Sequence, residues 1–155
     1  MLEVSLEKKG LPAPGVYGKE ELDLWKLLSR MQDALSSGSS GALASFLGIV
    51  KSIGSNGKRV EHLEIEAYER HANPTIQRIC EETRERFGLE FVGIWHLKGR
   101  FKVGEPLVLV VVAGKSRKEV FQALEEAVSR YKTEPALFKK EAYDDGTYAW
   151  LDAGH

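Results

Sequence analysis

Lysines near the end of the chain have the type and spacing that oxyanion or proton-transfer chemistry requires. Lys132 lies in the last turn of a predicted amphipathic helix that Pro135 ends. Phe138, Lys139 and Lys140 follow. Because the proline forces a turn, Lys132 and Lys139 are predicted to converge on one pocket. A partly desolvated amine has a lowered pKa and can stabilise an oxyanion or act as an acid or base. The competing interpretation is a helix C-terminus complemented by Lys132 and a solvated tail.

A second cationic group, Lys115-Ser116-Arg117, follows a predicted buried strand and opens a helix. Ser116 and Glu119 have the spacing of a capping box. Free N–H groups at a helix start favour anions, and two neighbouring cations strengthen that preference. The sequence therefore predicts a phosphate or carboxylate site here, with a capped surface helix as the alternative.

Other reaction classes have little support in the sequence. The four histidines, His62, His71, His96 and His155, include no pair with metal-ligand spacing, so no metal site is predicted. Cys80 is the single cysteine and falls on an apolar helix stripe, which favours a buried position. No phosphate-binding Gly-rich loop, nucleophile elbow or dinucleotide fingerprint is present.

Length and composition favour one ordinary globular domain spanning residues 1–155. Hydrophobic residues make up 43% of the chain and charged residues 29%, which is typical of globular proteins. The formal net charge of −1 argues against general nucleic-acid binding. No apolar stretch approaches the roughly 20 residues that span a bilayer, and no signal-peptide pattern is seen. A cytoplasmic protein is expected.

Apolar periodicity predicts the elements that must position these residues. A helix is expected over 19–35, a buried strand over Ala42–Val50, and a hairpin turn at Asn56-Gly57 leading into a strand over Val60–Tyr68. The first eighteen residues are expected to hold a short strand over Leu2–Leu6 and then a loop over Lys8–Gly18.

The second half of the sequence has clearer signals. Asn73-Pro74 is predicted to open a helix that Gly88 ends. Strands are predicted over Phe91–Leu97 and Leu107–Ala113. The segment Phe138–Trp150 is expected to be either irregular or a short hairpin around Asp145-Gly146. The buried stripe of the helix after Ser116 is predicted to be Val120, Phe121, Leu124, Val128 and Tyr131. This order predicts an α+β fold, with a mostly antiparallel sheet and three main helices.

Several segments together resemble a known family. They are Gly41–Lys51, Leu63–Glu69, His96–Gly99, Val103–Glu105 and Lys132–Glu141. In this order they are similar to the large, catalytic subunit of molybdopterin synthase, the MoaE family, over a core of residues 19–150. The resemblance implies an α/β-hammerhead fold and a homodimer within a heterotetramer. It also implies a small ubiquitin-like sulfur carrier whose C-terminal Gly-Gly thiocarboxylate enters the large subunit.

The resemblance further implies a sulfurtransferase that converts cyclic pyranopterin monophosphate into the dithiolene of molybdopterin, without a metal or cofactor of its own. It places catalytic lysines at Lys132 and Lys139. Substrate or phosphate contacts fall on Arg117, Lys115, Ser116 and Lys51, and contacts with the partner's tail on Phe46, Phe138 and Lys140.

The sequence also departs from the family pattern. Ser116 stands where a histidine is usual, and Lys51 where an arginine is usual. A lysine keeps the charge but loses the bidentate geometry of a guanidinium. Two alternatives therefore remain: a divergent module that binds the partner without catalysis, and an anion-binding regulatory domain.

Overall fold

The computed structural model describes residues 10–151, which form four helices and seven strands. In chain order the elements are β1 Gly15–Gly18, α1 Leu24–Ser29, α2 Met31–Ala34, β2 Ala42–Ile49, β3 Val60–Ala67, α3 Glu69–Phe87, β4 Phe91–Lys102, β5 Pro106–Gly114, α4 Arg117–Thr133, β6 Leu137–Tyr143 and β7 Tyr148–Trp150. The predicted α+β class is confirmed.

The strands form one sheet in the order β2-β5-β4-β3-β6-β7, in which every neighbouring pair is antiparallel. The 12-residue strand β4 joins the two halves, because its first half pairs with β5 and its second half with β3. Between these halves, Gly99 has φ 129°, a conformation that a residue with a Cβ rarely adopts. The short strand β1 pairs with β4 in parallel.

The core lies around β5 and the two long helices. Leu107 through Ala113 are all buried, so both faces of β5 are covered, and α1 and α4 both pack against this strand. Helices α3 and α4 also pack against each other. Cys80 lies fully buried on α3, as predicted. This packing fixes the end of α4 beside the sheet, where the lysines lie.

The predicted loop over Lys8–Gly18 is wrong at its end, since β1 is part of the sheet. Leu11 and Val16 are buried there, and the backbone N–H of Val16 donates to Asn73 Oδ1 at 2.7 Å. Glycine and proline hide this strand from periodicity analysis, because its pairing depends on the distant β4. The expected strand over Leu2–Leu6 lies outside the described residues.

The start of α3 also differs from prediction. The helix begins at Glu69, so Asn73 and Pro74 lie inside it and the predicted asparagine cap is absent. A proline in the second turn leaves one backbone carbonyl without its helical donor, which the helix tolerates so close to its start. The Asn73 side chain instead accepts the Val16 N–H. Gly88 ends the helix in the left-handed conformation, with φ 63°, as predicted.

Three further predictions need correction. The helix expected over 19–35 is shorter and divided into α1 and α2. The turn at Asn56-Gly57 is present, closed by the Ile53–Arg59 bridge and by a hydrogen bond from the Val60 N–H to the Ser52 carbonyl. The strands on either side of it, β2 and β3, do not pair with each other and lie in different parts of the sheet. Phe121 is 63% exposed, because the buried stripe of α4 runs instead through Val120, Ala123, Ala127 and Tyr131.

The hairpin predicted around Asp145-Gly146 is present as β6 and β7. Within residues 10–151, none of the helices combines the length and the apolar character that crossing a membrane demands.

Candidate functional site

A cavity of about 330 Å³ lies where the end of α4 meets β2 and β6. Its wall is largely apolar and carries a few polar side chains, the usual composition of a binding site. The polar side chains belong to Lys51, Ser55, Lys132, Lys139 and Glu141. The apolar part is lined by Phe46, Leu47, Ile49, Val50, Leu63, Leu107, Tyr131 and Leu151.

The turn after α4 brings two of the predicted lysines into this cavity. Lys132 lies in the last turn of α4, whose C-cap is Glu134, and Pro135 then prevents the helix from continuing. Strand β6 starts at Leu137 and places Lys139 opposite Ile65 of β3. Both lysine side chains therefore line the same cavity, the convergence that their spacing predicts.

The ammonium group of Lys139 has an unusual environment. Burial lowers its pKa to about 8, and repulsion from the positive charge of Lys132 contributes to the shift. The charged ammonium of Lys139 loses hydration when it is buried, and it is repelled by the cation of Lys132. Both effects favour the neutral amine and so lower the pKa. The Lys139 Nζ also lies 6.0 Å from the centroid of the Tyr131 ring, where the aromatic face attracts a cation. A pKa near neutrality suits an acid or base.

An aromatic group forms one side of the cavity. The rings of Phe46 and Tyr131 are tilted to each other, with centroids 6.5 Å apart. Behind them, the imidazole of His96 meets the Tyr131 ring edge-on at 5.6 Å. The pKa of this imidazole is lowered to about 3, mainly because His96 is buried and to a smaller extent because of the positive charge of Lys139. The ring is therefore neutral at physiological pH.

Glu141 is a cavity residue that the sequence did not reveal as part of the site. It lies two positions after Lys139 on the same face of β6 and is 5% exposed. Its Oε1 accepts a hydrogen bond from the Tyr143 hydroxyl at 2.9 Å. A Cβ on Gly54 would lie 2.7 Å from the same oxygen, so only glycine fits there without displacing the carboxylate. The sequence did contain one signal for this position: residues two apart on a strand share a face, so Glu141 is expected on the same face as Lys139.

Of the three residues predicted to contact a partner's tail, only Phe46 lines the cavity. Phe138 and Lys140 occupy the opposite face of β6, as strand alternation requires. Lys140 Nζ lies 3.6 Å from the Glu64 carboxylate and 4.3 Å from the Tyr148 ring centroid, and Phe138 is 51% exposed. These two side chains therefore belong to a separate surface.

Lys51 lies at the rim of the cavity, whereas the other predicted phosphate ligands lie far from it. Arg117 and Lys132 stand at opposite ends of α4, about 22 Å apart at roughly 1.5 Å per residue. Lys115 and Ser116 line a small separate pocket beside Leu89. Within one chain, Arg117 and the lysine pair do not share a cavity.

The start of α4 is partly occupied by a carboxylate of the chain itself. Ser116 is the N-cap residue, and its hydroxyl donates to the Glu119 carboxylate. Hydrogen bonds from this hydroxyl and from the backbone N–H of Glu119 lower the pKa of the Glu119 carboxyl. A bound anion would compete with this internal one. Among the described residues, no three His, Cys, Asp or Glu side chains cluster in a way that would hold a metal ion.

Comparisons with known proteins agree on one family. Residues 18–134 match the family model described as MoaE protein. The chain is 37% identical to the molybdopterin synthase catalytic subunit of Pyrococcus abyssi over 118 residues, which cover 76% of this chain and 78% of that protein. It is 36% identical to the subunit of the same name from Bacillus subtilis over 107 residues, which cover 69% of this chain and 68% of that protein.

Solved structures share the fold. Molybdopterin synthase from Staphylococcus aureus superposes with a TM-score of 0.79 at 24% identity, covering 92% of this chain and 98% of that one. A complex of subunits 1 and 2 of the molybdopterin-converting factor from Helicobacter pylori superposes with a TM-score of 0.66 at 19% identity, covering 90% of this chain and 88% of that one. The family match over most of the chain decides the assignment: this protein belongs to the MoaE family.

Proposed function

We propose that this chain is the catalytic subunit of a molybdopterin synthase. It transfers two sulfur atoms, one from the C-terminal thiocarboxylate of each of two small ubiquitin-like partners, to cyclic pyranopterin monophosphate, forming the dithiolene of molybdopterin. Water converts each partner's tail to a carboxylate. The observation that carries the proposal is the pair Lys132 and Lys139 in one largely apolar cavity of a MoaE-family chain. The complex of two subunits from Helicobacter pylori supports a small partner.

The cavity has the properties that a thiocarboxylate tail requires. A Gly-Gly end has no side chains, so it can lie in the confined part of the cavity beside Phe46 and Tyr131. Lys51, Lys132 and Lys139 bring positive charge toward an anionic tail and an anionic pterin phosphate. When the tail carbonyl is attacked, negative charge develops on its oxygen, and a nearby ammonium stabilises it.

The two lysines are assigned different tasks. Lys139, with a pKa of about 8, is the group matched to proton transfer near neutral pH. Lys132 lies at the end of α4, and its fixed position suits it to hold the anion. No step in this scheme is assigned to a metal or cofactor.

We also propose that the working unit is a homodimer, which with two small partners makes a heterotetramer. Arg117 lies about 22 Å along α4 from Lys132, so it reaches a lysine cavity only if that cavity belongs to a second copy. Phe138 and Lys140 face away from the cavity and are then available to the body of a partner rather than its tail. A reducing cytoplasm suits a chain whose one cysteine is unpaired.

The test is reconstitution with a thiocarboxylated partner and the pterin precursor. Lys132→Ala and Lys139→Ala are each expected to reduce dithiolene formation by about 100-fold or more, the size of a lost oxyanion donor. Lys26→Ala, which removes an exposed lysine from α1, is the matched control and should retain full activity. Circular dichroism verifies that each variant is folded.

Full activity in both variants would refute the catalytic assignment. A wild-type protein that binds the partner yet forms no dithiolene would instead support a divergent partner-binding module. The position of Lys115 and Ser116 away from the cavity is the observation that favours this second function.

A further inference from the structure

His96 has a hydrogen-bonding group that the described part of the chain leaves unused. The residue lies in the middle of β4, between Val16 of β1 and Val108 of β5, and its side chain is fully buried. Its Nε2 has no hydrogen-bond partner among residues 10–151. Buried polar atoms are nearly always paired, so an unpaired one requires an explanation.

The tautomer of this imidazole follows from its other nitrogen. His96 Nδ1 lies 2.9 Å from the backbone carbonyl oxygen of Leu97, which can only accept a hydrogen bond. Nδ1 therefore carries the proton, and Nε2 presents a lone pair. Because burial and the nearby Lys139 charge keep the ring neutral, this lone pair remains an acceptor throughout the physiological range.

The unused acceptor lies next to the lysine cavity. The His96 ring is in edge contact with Tyr131, and the Lys139 ammonium lies over the Tyr131 ring. The positive charge of Lys139 is the second cause of the lowered His96 pKa, after burial. The titratable groups that line the cavity beside His96 are Lys51 after β2, Tyr131 and Lys132 on α4, and Lys139 and Glu141 on β6. The two strands paired with β4 at His96 contribute only the apolar residues Val16 of β1 and Val108 of β5 at this position.

We propose that His96 is a positioning residue whose Nε2 accepts a hydrogen bond from the Lys139 ammonium and directs that group at the reacting carbonyl. This inference rests on the proposed function and names a residue behind the cavity wall that acts through Lys139. Because Nε2 has no partner in this conformation, the hydrogen bond requires the Lys139 ammonium, now 6.0 Å from the Tyr131 ring centroid, to turn toward the imidazole. A buried neutral acceptor stabilises the ammonium without adding another positive charge beside Lys132.

The first test uses the free wild-type protein and needs no substrate. Nitrogen-15 NMR of labelled histidine is expected to show His96 as the Nδ1-protonated tautomer from about pH 6 to about pH 9. Its Nε2 resonance should move with an inflection near pH 8, where Lys139 titrates, and this inflection should vanish in Lys139→Met. A protonated Nε2, or a resonance that ignores the titration of Lys139, would overturn the proposal.

The second test compares two variants in sulfur transfer across the pH range. His96→Leu removes the acceptor, so the Lys139 ammonium is less stabilised and the alkaline limb of the kcat profile should move to lower pH. We expect kcat to fall by about tenfold with little change in KM for the partner. His96→Gln offers a neutral acceptor oxygen and should recover most of the loss, with a profile close to that of the wild type.

Equal losses in the two variants, following their thermal stability and with an unshifted pH profile, would show that His96 is merely structural. The two tests also separate this inference from the proposed function. If the wild-type protein transfers no sulfur, the proposed function fails, whereas the NMR titration still decides whether His96 and Lys139 interact.

Discussion

At the scale of single residues, the protein holds a charge where charge is costly. Lys139 is largely desolvated beside Lys132, and its pKa is lowered to about 8 from 10.5. A folded protein that lowers the pKa of a lysine is destabilised while that lysine is charged. This arrangement is typical of functional sites, where a reactive group is retained at the expense of stability.

Replacing Lys139 by methionine is therefore expected to stabilise the fold while it abolishes transfer. Below about pH 8 the folded wild type carries the unfavourable charge, so the variant should be more stable by about 1–3 kcal/mol. Between pH 8 and 10.5 the unfolded chain binds more protons than the folded one, so wild-type stability rises and the difference shrinks. Urea unfolding at a series of pH values measures this.

Lys26→Met, at an exposed position of α1, provides the control and should change the unfolding free energy by less than about 0.5 kcal/mol. A Lys139→Met variant that is less stable than the wild type at pH 7 would contradict the idea of a costly buried charge.

At the scale of elements, β1 depends on one side chain from a distant helix. Asn73 Oδ1 accepts the Val16 N–H at 2.7 Å, which joins the start of the described chain to α3. A Cβ on Gly15 would lie 2.7 Å from that same oxygen, so the glycine leaves room for the contact. This short strand covers β4 beside His96 and thus supports the region behind the cavity.

Asn73→Ala is expected to reduce the unfolding free energy by about 1–3 kcal/mol, because the buried Val16 N–H loses its acceptor. Hydrogen exchange should show faster exchange of the Val16 amide than in the wild type. Asn56→Ala is the matched control, since Asn56 accepts a backbone N–H in an exposed turn. A loss in Asn73→Ala no larger than in this control would contradict the role assigned to Asn73.

At the scale of the whole molecule, the positions of Arg117 and the lysine pair predict a shared site. The two lie at opposite ends of α4, and each copy would contribute its lysines to one cavity and its Arg117 to another. Such an arrangement makes activity depend on assembly rather than on one folded chain.

Mixing two inactive variants tests this directly. Arg117→Ala and Lys132→Ala are each expected to be inactive, but a mixed dimer has one cavity with all its native groups. Co-refolded mixtures should regain up to about a quarter of wild-type activity, because half the dimers are mixed and half their sites are intact. Sites built within one chain would give no recovery, and analytical ultracentrifugation tests whether the refolded protein is a dimer.

Local sequence signals determined most of the elements and part of the site. The spacing of Lys132, Pro135 and Lys139 predicts the turn that places both lysines in one cavity, because Pro135 follows the last turn of α4 and cannot supply the N–H that would continue the helix. Gly88 and the Asp145-Gly146 turn act locally in the same way. The family resemblance was also present in the order of short segments and is confirmed by the family match.

Tertiary structure alone decided which other residues share the site with the lysine pair. The burial of His96 and the inclusion of Glu141 depend on the pairing of β4 with β1, of β5 with β2 and of β6 with β3, which are distant from each other in sequence. Those pairings also determined that β1 is a strand, whereas strand alternation by itself puts Phe138 and Lys140 on the face opposite Lys139. Turns and helix ends are set by neighbouring residues, whereas desolvation and shared cavities arise only when remote segments pack together.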